Sequence, residues 1–234
     1  RSITTFPAWS SSGRHLAYTS FDRGPVQIII KDLKTRAESR VRYKGVQIAP
    51  AWVPRRFELT ATLSHGGDQE IYLLTGKGKM IKRLTNSRGI DVDASWSPDG
   101  KKIAFVSKRS GRPQIYIKEI NTGRVQRMTF EGNYNTQPSW SPKGNLIAYS
   151  SMAEGEINIV VMDIERNDPI QLTFNQSDNE APSWSPDGSL IAFSSTREGK
   201  SRIYVMTAYG TDQRRLLTMP GEQFHPRWSP NIPQ

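Results

Sequence analysis

Five carboxylates, two aromatic rings and three histidines decide what chemistry this chain could do. Asp91, Asp93, Asp178, Glu180 and Glu222 fall in short polar stretches, and Tyr134 and Phe224 fall in corresponding stretches elsewhere. Carboxylates interleaved with aromatic rings suit recognition of a protein surface. Met at one mouth, the same carboxylates could hold a calcium ion through their oxygens. His15, His65 and His225 have no His-x-x-x-His spacing and lie in different segments, and only His225 shares a stretch with the acids. A lyase-type metal centre needs converging histidines, so that reading is poorly served. No Gly-x-Ser-x-Gly elbow occurs, so no peptidase hydrolase nucleophile of that kind is encoded here. With no Cys, neither a disulfide framework nor a thiolate metal site exists.

The elements that position these residues form a repeat. All six tryptophans (Trp9, Trp52, Trp96, Trp140, Trp184, Trp228) share one motif, spaced 43, 44, 44, 44 and 44 residues apart. Its fullest form is Ala94-Ser95-Trp96-Ser97-Pro98-Asp99-Gly100, followed by the β-forming run Lys102–Ser107. Proline presets φ, Asp tolerates the second central position and Gly supplies a left-handed residue, so Ser-Pro-Asp-Gly is a turn between two strands. A polar loop, a third alternating run (Gln114–Ile120), an Asn-Thr-Gly turn and a fourth run (Val125–Thr129) complete the unit. Alternation between turn signals predicts strands rather than helices. Four antiparallel strands per ~44 residues is one blade of a β-propeller, which buries its faces only by stacking on neighbours.

The first strand of each unit is expected to begin beside its Trp, as in Ala94–Ser97. The stretches leading into the Trp motifs then read as variable loops on a rigid scaffold, where binding residues usually lie. They are Ser2–Phe6, Lys44–Ile48, Arg88–Asp93, Gly132–Gln137, Gln176–Glu180 and Gly221–His225. Candidate partner-binding residues in them are Asp91, Asp93, Tyr134, Asp178, Glu180, Glu222, Phe224 and His225.

Formal net charge is +10, with many cations (Lys34, Arg36, Arg40, Lys77, Lys79, Lys82, Arg124, Arg127, Arg214, Arg215) on fourth strands and adjoining turns. Charge there protects blade edges from aggregation. It reads as a basic circumference around an acidic channel rim, which disfavours a nucleic-acid groove. Weak attraction to anionic headgroups is compatible with it. No apolar run approaches the ~18 residues of a membrane-spanning helix.

The pattern Pro-x-Trp-Ser-Pro-Asp-Gly-x-x-Ile-Ala-Phe, then Ile-Tyr, then Leu-Thr, resembles the propeller repeats of the TolB family along the whole chain, including a last Trp228-Ser229-Pro230 near the end. Related repeats occur in gating propellers of peptidases and in oligogalacturonate lyases, which keeps an enzyme as the alternative. The resemblance implies an all-β, six-bladed-type propeller. Five complete blades start near Trp9, Trp52, Trp96, Trp140 and Trp184, and one inner strand of an incomplete sixth lies near Trp228: 21 strands where six full blades need 24. It implies a non-enzymatic periplasmic protein of the Tol–Pal system that binds the lipoprotein Pal at the loop-bearing end of its channel, supporting outer-membrane integrity and cell division. Colicin-type peptides would compete for that face. TolA would be reached only through the family's N-terminal α/β domain, which these residues lack. By the same resemblance Val46, Gln47, Asp91, Val92, Asn135 and Asp178 lie near the Pal interface.

Overall fold

The computed structural model describes residues 3–22, 24–65, 67–153, 155–174 and 176–230. Ser2, part of the first expected loop, lies outside them. Five four-stranded antiparallel sheets follow one another along the chain, each a simple meander. The first contains β1 (Thr4–Trp9), β2 (His15–Ser20), β3 (Gln27–Asp32) and β4 (Glu38–Arg40). The second contains β5 (Gln47–Trp52), β6 (Glu58–Leu63), β7 (Glu70–Thr75) and β8 (Met80–Arg83). The third contains β9 (Asp91–Trp96), β10 (Lys102–Ser107), β11 (Gln114–Glu119) and β12 (Val125–Arg127). The fourth contains β13 (Tyr134–Trp140), β14 (Leu146–Ala153), β15 (Glu156–Asp163) and β16 (Asp168–Gln171). The fifth contains β17 (Asn179–Trp184), β18 (Leu190–Ser195), β19 (Arg202–Thr207) and β20 (Arg214–Arg215).

The core lies between successive sheets. Ile28, Ile30 and Val41 of the first blade pack on Trp52, Leu59, Ala61 and Tyr72 of the second. Ile71, Leu73 and Leu84 of the second pack on Ile103, Phe105 and Tyr116 of the third. Each such side chain, fully buried, contributes about 1.5–3 kcal/mol, so blades are held by their neighbours rather than by themselves. The tryptophans add polar ties to the blade before: Trp52 Nε1 donates to Ala8 O at 3.1 Å, and Trp184 Nε1 to Ser139 O at 3.0 Å. The turns after Trp9, Trp96, Trp140 and Trp184 are locked by the serine that follows. Ser97 Oγ accepts from Lys102 N at 2.9 Å and donates to Asp99 at 2.6 Å, while Gly100 takes φ 69°.

Two expectations need correction. The inner strands begin five or six residues before Trp, so Gln47, Asp91, Val92, Asp93, Tyr134, Asn135 and Glu180 are strand residues, not loop residues. What hid this is a bulge: pairing of each inner strand is interrupted two or three residues before Trp, for instance between Ile48 and Ala51, so the alternation breaks there. Second, the segment around Trp228 is not a strand; the sheets hold 20 strands, not 21. It does follow an inner-strand path. Gln223 N donates to Ser201 O at 3.0 Å, as Asn135 N does to Pro113 O, and Trp228 N reaches Ser183 Oγ at 3.4 Å, as Trp140 N reaches Ser95 Oγ. Among the described residues no second strand lies beside it to complete a ladder. The blade face behind it is less covered: Leu216 is 47% exposed, whereas Leu84, Met128 and Leu172 at the same repeat position are buried.

Candidate functional site

Strain marks where the inner strands meet the axis. Phe6, Ala49, Asp93, Gln137, Ala181 and His225 all have φ between 51° and 55°. Each lies three residues before a Trp. A left-handed non-glycine residue costs about 1–2 kcal/mol, and here a buried hydroxyl of the preceding blade rewards it. Ala49 N donates to Thr19 Oγ1 at 3.2 Å, Ala181 N to Ser150 Oγ at 3.1 Å and His225 N to Ser194 Oγ at 3.1 Å. Four of the six in this collar, Phe6, Ala49, Asp93 and Gln137, line a channel of about 400 Å³, walled otherwise by Arg227 and by Trp, Pro, Ser and Ala.

The collar is chemically uneven. Phe6 and His225 rings lie 4.3 Å apart, and Gln137 Nε2 lies 3.4 Å from His225 Nε2. His225 Nδ1 is buried with no hydrogen-bond partner. Burial, helped by the charge of Arg227, pushes the His225 imidazole down to about 4, so it is neutral at pH 7. Burial pushes the Asp93 carboxyl up to about 6, against the pull of Arg227. Burial lowers the Arg227 guanidinium and Asp93 opposes that. Asp93 and Arg227 are the only acidic or basic side chains in the channel wall among the described residues. No three His, Asp or Glu side chains converge among the described residues.

The remaining candidates divide by exposure. Gln47, Asp91 and Asn135 are buried and tie the inner strands to their surroundings: Asp91 within its own blade, Gln47 to the segment before its blade, and Asn135 to the preceding blade. Gln47 Nε2 donates to Tyr43 O. Asp91 accepts from Ser87 Oγ at 3.0 Å, from Ser107 Oγ and from Arg109 at 2.8 Å. Asn135 Nδ2 donates to Gln114 Oε1 at 3.0 Å and Glu131 O at 2.8 Å. Val92 packs on the core between the third and fourth blades, and Val46 N donates to Ser64 Oγ at 2.7 Å. Asp178 accepts from Ile157 N at 3.0 Å, and beside it burial and the Asp178 charge raise the Glu180 carboxyl. Tyr134, Glu222 and Phe224 are exposed. Thus Asp93 lines the channel with Arg227 near it, His225 packs on Phe6 and Gln137 of the collar, Asp178 and Glu180 form an acidic pair, and Tyr134 and Phe224 offer apolar area. Sequence reading missed Phe6, Gln137 and Arg227, although aligning the six motifs on Trp places them at constant offsets.

The comparisons agree on one family. The family model describing the TolB beta propeller domain matches residues 1–232. The Tol-Pal system protein TolB of Desulfosudis oleivorans is 57% identical over 86 residues, 37% of this chain and 20% of that protein. A protein TolB homolog of Chlorobium chlorochromatii is 50% identical over 87 residues, again 37% and 20%. The matched stretches therefore span about a fifth of these curated relatives. The crystal structure of TolB from Acinetobacter baumannii superposes with a TM-score of 0.89 at 31% identity, covering 98% of this chain and 58% of that one. Collar, inter-blade locks and repeated Trp turns are thus those of a five-sheet chain that belongs to the TolB β-propeller family.

Proposed function

We propose that this chain is a non-enzymatic, periplasmic binding scaffold of the Tol–Pal system and holds a Pal-type lipoprotein across the loop-bearing end of its channel. In that role it supports outer-membrane integrity and cell division, and colicin-type peptides compete for the same face. The observation that carries the reading is an end of the propeller where half-buried Asp178 and Glu180 stand with exposed Tyr134, Glu222 and Phe224, beside a channel of about 400 Å³, in a chain of the TolB family. Aromatic anchors ringed by polar groups are the usual centre of a protein interface. A rigid scaffold limits the ordering cost of binding. Val46, Gln47, Asp91, Val92 and Asn135 then act from behind, by fixing the strands that carry the rim; Asp93 and His225 form the floor of the site.

The Trp228 segment fits the same picture as the inner strand of a sixth blade, whose other strands would cover Leu216. The test uses Glu222→Lys, and separately Phe224→Ala, titrated by calorimetry with the periplasmic domain of the cognate Pal. Each should weaken binding at least tenfold while the melting temperature stays within a few degrees. Unchanged affinity in both variants removes this face from the interface.

A further inference from the structure

The meander places the β1–β2 and β3–β4 turns of a blade at one end, opposite the loops that carry the rim. At that opposite end the turns of the first two blades carry exposed Lys34, Arg36, Arg55, Lys77 and Lys79. Nearby acids are already engaged: Asp32 with Arg14 at 2.7 Å, Glu58 with Arg56 at 2.7 Å, Glu38 with Lys31 at 3.3 Å. No acidic side chain pairs with the five cations among the described residues. Hydrogen bonds join the turns into one surface. Arg55 N donates to Ser11 Oγ at 2.9 Å, Leu33 N to Arg14 O at 2.9 Å and Gly76 N to Phe57 O at 2.8 Å. The corresponding turns of blades three to five mix Lys101, Arg124, Lys143 and Arg166 with Asp99, Glu165, Asp187 and Asp212.

Two apolar side chains stand among these cations: Leu33 is 40% exposed and Phe57 48%. A soluble polyanion gives them nothing. A bilayer surface lets them reach below the level of the phosphates while the cations meet the headgroups.

We propose that the turn-bearing end of the first two blades docks on an anionic phospholipid surface, leaving the rim at the other end free for a protein partner. The site is independent of the rim and does not rest on the Pal reading. About one kcal/mol per cation near such a surface corresponds to about fivefold in partitioning for each cation removed.

The experiment is co-sedimentation of the chain with phosphatidylcholine vesicles, with and without phosphatidylglycerol. Binding is expected only with phosphatidylglycerol and should fade as salt is added. Lys34→Glu, Arg36→Glu, Lys77→Glu and Lys79→Glu together should lower partitioning at least 100-fold. Lys101→Glu, Arg124→Glu, Lys143→Glu and Arg166→Glu together make the same net-charge change at the same end and should lower it less than about tenfold. If the first variant fails to fold by circular dichroism, Leu33→Ser replaces it and should weaken binding about threefold to fivefold. Equal losses in the two charge variants overturn the proposal, as does absence of vesicle binding, or preference for duplex DNA over vesicles of equal phosphate content.

Discussion

Asp91 offers the sharpest test of the structural reasoning, because its repeat neighbours supply an internal control. Its buried carboxylate holds Arg109 at 2.8 Å and two serine hydroxyls. The Arg109 guanidinium also lies 5.4 Å from the Phe105 ring and 5.0 Å from Tyr116. Removing one partner of a buried pair costs about 3–5 kcal/mol. Arg109 keeps 26% of its side chain in solvent, so Asp91→Ala should cost nearer about 2–4 kcal/mol. In a chain of this length that lowers the melting temperature by about 5–15 °C. Asp91→Asn should cost about 1 kcal/mol or less, because the fifth blade already uses that chemistry. There Arg197 donates to Asn179 Oδ1 at 3.0 Å and to Ser195 Oγ at 2.8 Å. Asp91→Lys should be the worst, since it sets an ammonium against Arg109. Differential scanning calorimetry ranks the three. If Ala melts like the parent, or Asn falls as far as Ala, the lock does not hold the blade and the reasoning is wrong. The same series removes Asp91→Lys as a clean probe of partner binding.

Asp93 gives a pH signature. Its folded pKa, about 6, lies above the ordinary 3.8, so its ionisation opposes folding: the penalty is absent below about pH 4 and complete above about pH 6. Asp93→Asn should therefore raise stability at pH 7 by about 1–3 kcal/mol and by nearly nothing at pH 4, read from urea midpoints; a gain that does not depend on pH refutes it. His225 has the opposite sense. Its folded pKa of about 4 lies below 6.5, so the stability tied to it is present above pH 6.5 and lost as pH falls toward 4; its imidazole NMR shift should stay flat from pH 7 to 5, and a midpoint near 6.5 would falsify the buried placement. Gly210 and Gly155 have similar φ, 82° and 91°, but a Cβ at 210 meets Leu172 O at 3.0 Å while one at 155 meets nothing within 4 Å. Gly155→Ala should cost about 1 kcal/mol and Gly210→Ala clearly more, and equal melting losses would show that the contact relaxes.

The blades were readable in the sequence because three local signals repeat together: Trp, Ser-Pro-Asp-Gly and the alternating runs. The site was less readable for a physical reason. The bulge before each Trp breaks the period of two, so Asp91–Asp93 and Tyr134–Gln137 looked like loops although they extend β9 and β13. Burial was equally hidden. Asp91 and Asp93 are two residues apart, yet one turns onto Ser107 and Arg109 of its own blade and the other into the channel. Nothing in their types separates them; only the register on Trp does. The orphaned segment near Trp228 was legible as a repeat but not as a non-strand, since pairing depends on a neighbour the motif does not encode.

That two-residue separation also decides which acid is a candidate for function. Asp91 is buried but matched, with an arginine and two hydroxyls on its carboxylate; its polar groups are accounted for by folding alone. Asp93 is raised by burial, makes no ion pair, and faces a guanidinium that burial also disfavours. His225 Nδ1 has no partner. The backbone at both collar positions is strained, and glycine would relieve it at about 1–2 kcal/mol each. Ala49 and Ala181 show that the strain itself belongs to the scaffold, because a methyl group offers the channel no chemistry. At 93 and 225, however, strain is combined with a carboxyl raised by burial and with an imidazole nitrogen that has no partner, and folding gains nothing from that combination. Such sites persist where a ligand completes them. The floor of the channel is therefore a better place than the seams to look for what distinguishes this propeller's partner from those of other propellers.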